Sequence, residues 1–527
     1  MALLGNLLKR SIRLTDAVRP RKINPQKAQQ KVFAKLLVKA RNTEFGQKYD
    51  FEEILNLVVF GKDKEFYRKF RETVPVHDYN KMFADWWHRT LDGGKDITWP
   101  GRVKYFALSS GTSEAASKYI PVTKAMSKAI QRTSIRQILT LSRYQNLPAK
   151  LYEKGFLMLG GSTTLSFRGN HFEGDLSGIT ASQIPFWFQQ FYKPGKKIAQ
   201  ERDWALKLDE ITEKARQWDI GFIVGVPAWI QLLMEKIIAH YKVKTIHDVW
   251  PNLMVFCHGG VSFEPYKKGF EKLLGRPITY IETYLASEGF IAYQTHPNAV
   301  GMQLVLNNGL FYEFVPFNDK NFTADGEIVA NPETLMIDEV EEGKEYALLL
   351  TTCSGAWRYL IGDTVRFVSK ARSEIVITGR TKHFLSLCGE HLSVDNMNKA
   401  IELVSEEMGI DVREFSVAGI SYDTLFAHHW FIGSDDPVDA DKVRDNIDAK
   451  LKELNDDYAV ERRHALKDIF VTVVPSKLFY KWMEAKGKLG GQHKFPRVLK
   501  KNLVADWETF LQKQGIDAQA ARSVKEQ

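Results

Sequence analysis

Three short stretches of this sequence carry residue types that can do chemistry together. Ser109-Ser110-Gly111-Thr112-Ser113 gathers four hydroxyls around a glycine, with Lys118 five residues on. Without a Cβ at Gly111, backbone N–H groups can approach an anion closely, while the hydroxyls add donors and Lys118 adds positive charge. That composition suits a phosphate cradle. It also suits a plain turn, and it is not the GxxxxGK[ST] pattern. Tyr284-Leu285-Ala286-Ser287-Glu288 places a carboxylate beside a hydroxyl at the end of a strand-like run that begins near Ile278. Mg²⁺ keeps several waters and bridges phosphates through one or two carboxylates, so Glu288 suits it; otherwise Glu288 is a surface residue. Tyr284 either stacks on a purine or packs in the core. In Trp357-Arg358-Tyr359-Leu360-Ile361-Gly362-Asp363, the acceptor-only carboxylate of Asp363 follows a glycine at an expected turn. There it can take both hydroxyls of a ribose, or merely serve the turn. Arg358 or Arg380 would pair with Asp363 or grip phosphate bidentately.

The elements that must position these residues alternate. Helical text runs from Asn24 to about Tyr79, with Val32, Leu36, Leu37 and Ala40 at near-helical spacing. Val103 to Ser109 reads as a strand ending in the hydroxyl-rich loop, and Thr123 caps a helix towards Tyr144, giving strand, loop and helix in that order. A helix from Asp203 to Trp218, a strand from Phe222 to Val226 and another from Leu253 to Cys257 continue an α/β layer pattern. The second strand stops at Gly259 and Gly260. Asn308-Gly309, between Gln303–Leu306 and Leu310–Val315, predicts a tight hairpin. Tyr346 to Thr352 and Asp363 to Val368 read as further strands. Beyond Gly379 and Arg380 the pattern becomes compact α+β, closing with a helix from Arg497. The expected organisation is a large domain over 1–382, with β-sheets flanked by helices, and a small domain over 383–527.

Bulk composition narrows the function classes. A chain of 527 residues with 44% hydrophobic and 26% charged residues buries more than one core. The formal charge of +9 is spread among 64 acidic residues, without the clustering of a nucleic-acid groove. Cys257, Cys353 and Cys388 form no CxxC pair, which fits a reducing cytoplasm, and His258, His383 and His391 lack the spacing of zinc ligands. The opening MALLGNLLKRSIRL reads as an amphipathic helix rather than a signal peptide, and no run approaches the length of a membrane span.

In this order and spacing the three stretches resemble the plant Gretchen Hagen family of auxin-responsive acyl acid amido synthetases, within the adenylate-forming superfamily. The resemblance extends to Thr43-Glu44-Phe45-Gly46, Tyr49-Asp50-Phe51, Val74-Pro75-Val76, Asp78-Tyr79, Ile120-Pro121, Phe311-Tyr312-Glu313-Phe314-Val315-Pro316 and Gln492-His493-Lys494-Phe495-Pro496-Arg497. It implies an adenylate-forming large domain and a mobile small domain. It also implies a cytoplasmic monomer that uses ATP and Mg²⁺ to adenylate a carboxylic acid and pass the acyl group to an amine such as an amino acid. By the same resemblance Ser109, Ser110, Gly111, Thr112 and Ser113 contact phosphates, Glu288 holds Mg²⁺, and Asp363 holds the ribose. Gly259 and Gly260 let the backbone meet the base, Arg380 contacts the nucleotide at the hinge, and Lys494 reaches the phosphates during adenylation. Glu114-Ala115-Ala116 replaces a further glycine of the family loop, and Gly389-Glu390-His391 stands where plant members carry an acidic residue and a lysine. A coenzyme A ligase of the superfamily, or a catalytically silent binding homologue, would share the nucleotide site.

Overall fold

The computed structural model describes residues 24–59, 63–110, 117–144, 147–184, 188–260, 263–323, 326–382, 384–390, 392–486, 495–499 and 501–523. The expected N-terminal amphipathic helix, the loop residues Gly111, Thr112 and Ser113, and His383, His391 and Lys494 lie outside these residues. Two compact units divide the chain: Met1–Ser109 with Lys118–Thr381, and Ser110–Ser117 with Lys382–Gln527.

The first unit begins with a helical layer. Asn24 caps the helix Pro25–Ala40 by accepting from Lys27 N, and Pro25 supplies a fixed φ where no N–H is needed. Val32, Phe33, Leu36, Leu37 and Ala40 form its buried stripe, and the Phe33 ring stacks on Phe311 at 4.3 Å. Thr43 then caps the helix Glu44–Lys48, where a Cβ on Gly46 would collide with the carbonyl of Ala40.

The strands of this unit are, in chain order, β1 Tyr105–Ser110, β2 Ser117–Val122, β3 Gly155–Met158, β4 Ser166–Phe167, β5 Phe172–Gly174, β6 Tyr192–Lys193, β7 Ile220–Gly225, β8 Val255–Gly259, β9 Thr279–Ala286, β10 Gly289–Tyr293, β11 Met302–Leu304, β12 Leu310–Pro316, β13 Glu345–Thr352, β14 Tyr359–Ser369 and β15 Glu374–Arg380. Eleven of them form one mixed sheet, β12-β13-β14-β15-β11-β10-β9-β8-β7-β3-β6; a smaller sheet has the order β2-β1-β5-β4. From β6 to β9 the pairing is parallel, and the helices Pro227–Tyr241 and Glu264–Lys272 connect β7 to β8 and β8 to β9. From β9 to β12 the pairing is antiparallel. This is the α/β architecture read from the alternation of elements.

Three local expectations are corrected. A strand, β2, intervenes between the hydroxyl-rich stretch and the helix Lys124–Thr140, although Thr123 does cap that helix by accepting from Met126 N. Asn308-Gly309 does not close a hairpin, because β11 and β12 are not neighbours in the sheet. The Asn308 amide is instead buried and donates to Ala129 O and Thr133 Oγ1, while Gly309 adopts φ 78° where a Cβ would meet Cys353 Sγ at 2.7 Å. Asp363 lies inside β14 and not at a turn, since that strand already begins at Tyr359.

The second unit is α+β. Its strands are β16 Phe384–Leu385, β17 Leu392–Ser393, β18 Val412–Tyr422, β19 Leu425–Ser434, β20 Leu466–Val474 and β21 Val498–Leu499, and the main sheet runs β20-β19-β18-β21. β21 displaces the start of the last long helix to Lys501, later than the Arg497 read from the sequence. Every residue of the central β19 is buried. Phe479, Trp482, Phe495 and Trp507 form an aromatic core. Among the described residues no helix is long and apolar enough to cross a membrane. All three cysteines are buried and free.

Candidate active site

The hairpin β9–β10 pairs Ala286 with Gly289, so Ser287 and Glu288 form its two-residue turn. Gly289 has φ 149°, and a Cβ there would lie 2.9 Å from Leu310 Cδ2. Glycine is therefore needed where the turn re-enters the packed sheet. The turn does not leave Glu288 in solvent: the residue is only 8% exposed.

A second carboxylate comes from β14. Asp363 lies directly opposite Arg380 of β15, and Arg380 Nε stands 3.3 Å from Asp363 Oδ1. Gly362 takes φ 91° and its carbonyl accepts from Thr381 N at 2.8 Å. Arg380 Nη2 also donates to Ile361 O at 3.2 Å, which holds the guanidinium along β14. Arg358 is placed elsewhere. It is 3% exposed, pairs with the buried carboxylate of Glu313 at 3.0 Å, and donates to the carbonyls of Arg71 and Val74. Its guanidinium is thus committed to the helical layer and not to a phosphate.

The two carboxylate segments meet through a tyrosine. Tyr284 OH donates to Asp363 Oδ2. In the sheet order three strands lie between β9 and β14. Four inter-strand steps of about 4.8 Å would separate them by roughly 19 Å in a flat sheet, beyond the reach of a tyrosine. The sheet must therefore curl, and the register shifts within β10 and β14 are irregularities of the kind that raises local twist. His77 extends the frame: its N–H donates to Arg358 O and its carbonyl accepts from Leu360 N, so the chain before Tyr79 runs beside the start of β14.

β2 delivers the cation. Tyr119 N donates to Tyr79 OH at 2.9 Å, and Lys118 Nζ sits 5.4 Å from the Tyr79 ring centre. Burial is the largest influence on Glu288 and pushes its carboxyl above the usual range, as does the charge of Asp363; the charge of Lys118 pulls the other way. Burial likewise drives the phenols of Tyr284 and Tyr359 far upward, so both remain donors. Glu288 and Asp363 are hard oxygen ligands whose mutual repulsion a divalent cation would relieve. Among the described residues no cluster of three or more His, Cys, Asp and Glu could hold a metal. A cation here would need substrate and water oxygens as well, which fits Mg²⁺ and not zinc.

The remaining residues named from the sequence distribute as follows. Ser109 and Ser110 end β1, Ser109 half-buried, and Lys118 lies in β2. Gly259 ends β8 opposite Thr283 of β9, and Gly260 follows with φ 87°. Tyr284 and Ala286 belong to β9, Ser287 to the turn.

Comparison with known proteins places these features in a family. The GH3 family N-terminal domain matches residues 18–208, its central domain residues 303–379 and its C-terminal domain residues 395–502. The chain is 23% identical to the indole-3-acetic acid-amido synthetase GH3.4 of Arabidopsis thaliana, across 90% of this chain and 89% of that one. A shorter alignment, 31% identical over 126 residues, covers 23% of this chain and 25% of the probable indole-3-acetic acid-amido synthetase GH3.6 of Oryza sativa subsp. japonica. Among solved structures it resembles the GH3.15 acyl acid amido synthetase, with a TM-score of 0.56 at 15% identity over 96% of both chains. It also resembles 2-hydroxyisobutyryl-CoA ligase, with a TM-score of 0.56 at 12% identity over 93% and 92%. At such identities the structural likenesses speak for the fold alone. With three consecutive domain models of one family spread along its length, the chain belongs to the GH3 family.

Proposed function

We propose that this protein is an ATP-dependent acyl acid amido synthetase, which adenylates a carboxylic acid and transfers the acyl group to an amino acid or another amine. The observation that carries the reading is the Tyr284–Asp363 hydrogen bond, which brings the β9–β10 hairpin that bears Glu288 against the Asp363–Arg380 pair of β14 and β15 within one unit. A carboxylate at neutral pH resists nucleophiles, so it must first become an electrophile. Its oxygen attacks the α-phosphorus of ATP, the bond to the β-phosphate bridging oxygen breaks, and pyrophosphate leaves. The amine nitrogen then attacks the acyl carbonyl, the bond to AMP breaks, and the nitrogen releases its proton. Catalysis on this scheme is positioning and electrostatics.

Asp363 accepts the ribose hydroxyls, with Arg380 beside it, and Tyr284 lies next to both. Ser109, Ser110, Gly111, Thr112 and Ser113 face the phosphates with Lys118, Gly259 and Gly260 leave room for the base, and Lys494 of the small domain (383–527) assists adenylation. Glu288 would hold Mg²⁺, which when bound neutralises the charge of the phosphates. The protein acts as a cytoplasmic monomer on small molecules, with no nucleic acid or membrane partner. The equal likeness of the fold to a coenzyme A ligase makes a thiol acceptor the second reading.

Pyrophosphate release across aryl, fatty and hydroxy acids, each with and without mixed amino acids or coenzyme A, tests both. Acid-dependent release that is lost in Asp363→Ala and Glu288→Ala is expected. Undiminished release in both variants rejects the site, and adenylate consumed by coenzyme A but by no amine rejects the acceptor.

A further inference from the structure

We propose that Lys207 is a specificity residue that receives a carboxylate other than the reacting one, carried by the acid or by the acceptor. The inference rests on the acyl-transfer reading and deepens it. Lys207 lies on the helix Trp204–Lys214 and is only 2% exposed. A lysine so deeply buried is almost always paired with an acid. Among the described residues Lys207 Nζ makes one hydrogen bond, to Gly160 O at 3.3 Å, and no ion pair. The acids whose charges reach it, Asp175 and Glu201, are placed for other contacts: Glu201 Oε1 accepts from Asp203 N at 2.8 Å, and Asp175 Oδ2 packs against the backbone of Gly161. Trp204, one turn earlier, holds its ring centre 5.4 Å from Lys207 Nζ, and its indole Nε1 is buried without a hydrogen-bond partner. The helix thus offers a buried cation and a buried donor that the protein itself does not satisfy, and a carboxylate supplies two acceptor oxygens.

The cation borders a cavity where the fold itself favours a ligand. In the order β9-β8-β7-β3-β6 the chain passes from β3 outward to β6 and then back across β3 to β7, so the direction of winding reverses there. In open α/β sheets ligands occupy the crevice beyond the carboxyl ends of the strands at such a reversal. Lys207 shares the cavity with Leu159, Gly160 and Gly161, which follow β3, and with Pro194, which follows β6. Its volume, about 10 Å³, admits an end group and not the body of a substrate. Met158 pairs with Val224 and Gly225 with His258, so the residues after β3 stand level with Gly259, two inter-strand steps or roughly 10 Å across the sheet. A substrate whose reacting end meets the nucleotide beside that turn can bring its far end to Lys207. A dicarboxylic acid would present its second carboxylate there, and an amino acid acceptor its α-carboxylate.

The test uses the full chain as wild type, Lys207→Met and Lys207→Gln, and its two arms separate the sources. In the first arm pyrophosphate release is followed, without an acceptor, on dicarboxylic acids from succinate to suberate and on their monomethyl esters. In the second, amide formation is followed with amino acids and with the same amino acids as carboxamides, on an acid that releases pyrophosphate in wild type. In one arm wild type should prefer the charged substrate by roughly tenfold or more in kcat/KM, the scale of a hydrogen bond to a charged group. Both variants should bring that preference below about threefold, with the loss falling on KM for the charged substrate. The arm that responds names the substrate that carries the carboxylate. Lys207→Met should also melt no lower than wild type, because it removes a buried charge that lacks a partner. No preference in either arm of wild type, a preference that survives in the variants, or a lower melting temperature with equal losses on charged and neutral substrates overturns the assignment of Lys207. Wild type that releases no pyrophosphate on any acid overturns the adenylation reading, and with it the substrate role of Lys207.

Discussion

At the scale of single residues, what separates a reacting group from a structural one is where its polar atoms are already committed. Arg358 stands in the middle of a chemistry-bearing segment, yet its guanidinium meets Glu313, two backbone carbonyls and Thr334 inside the unit. Its backbone takes φ 43°, a left-handed conformation that arginine adopts only when its surroundings impose it. Arg358→Met leaves the Glu313 carboxylate buried without its cation, and chemical denaturation should register a loss of about 3–5 kcal/mol. Pairing it with Glu313→Met should recover part of that loss. A single variant within about 1 kcal/mol of wild type would show that the pair is not what holds β14 to the helical layer. Asp363, by contrast, keeps 15% of its side chain exposed between Tyr284 and Arg380. No composition rule distinguishes the two residues, because both are charged, both sit in β-rich text, and only the neighbours differ.

At the scale of elements, the approach of one backbone to another explains glycines that the sequence could assign only to a ligand. A Cβ on Gly259 would collide with the carbonyl of Thr283 in the parallel neighbour β9 and stand 2.8 Å from Thr283 Oγ1. Gly259→Ala should therefore push β8 from β9 just before the Tyr284–Glu288 hairpin. We expect a cost of about 1–3 kcal/mol in denaturation and weaker nucleotide binding together. A stable variant with normal binding would mean that the strands yield without moving the turn. Thr123 offers a gentler case, since its hydroxyl both caps the helix Lys124–Thr140 and donates to Cys353 O at 2.6 Å. Thr123→Ala should cost about 1–2 kcal/mol by the same measurement, and no change would place the start of that helix under the control of packing alone.

At the scale of the whole molecule, each unit carries its own core and its own buried titratable groups. Burial holds His77 and His258 of the first unit down to about 4, and burial with Arg522 holds His429 of the second down to about 3. These imidazoles stay neutral when folded, whereas the unfolded chain takes up protons near 6.5. Below that pH the unfolded state binds more protons, so stability falls as pH drops, by about 1.4 kcal/mol per pH unit for each group until its folded value is reached. The denaturation midpoint should decline steadily from pH 7 to pH 4.5, and a flat midpoint would contradict the burial of these rings. A second loss belongs to Glu390. Burial opposes its charge, but hydrogen bonds from His428 and backbone N–H groups outweigh it and hold the carboxyl at about 2. Its contribution is present above about 4.5 and disappears as pH falls from there towards 2.

The sequence by itself determined the elements and the chemical inventory. Periodicity located the first helix, the helix Trp204–Lys214 with the strands β7 and β8 that follow it, and the α+β pattern at the end, because burial of one face leaves a mark every second or every third to fourth residue. Hydroxyls, carboxylates and glycines marked the three segments, since few residue types suit phosphate, cation or sugar. Pair signals failed where tertiary packing competed: Asn308-Gly309 satisfies a buried contact with the helix Lys124–Thr140 instead of closing a hairpin. Only the tertiary structure decided that β9 and β14 approach each other, because strand order and sheet curl depend on every crossover between them and not on either segment. For the same reason the hydrogen bond from Tyr284 to Asp363 was not legible. Each residue is written in its own segment, but the pair exists only once the sheet has folded back on itself.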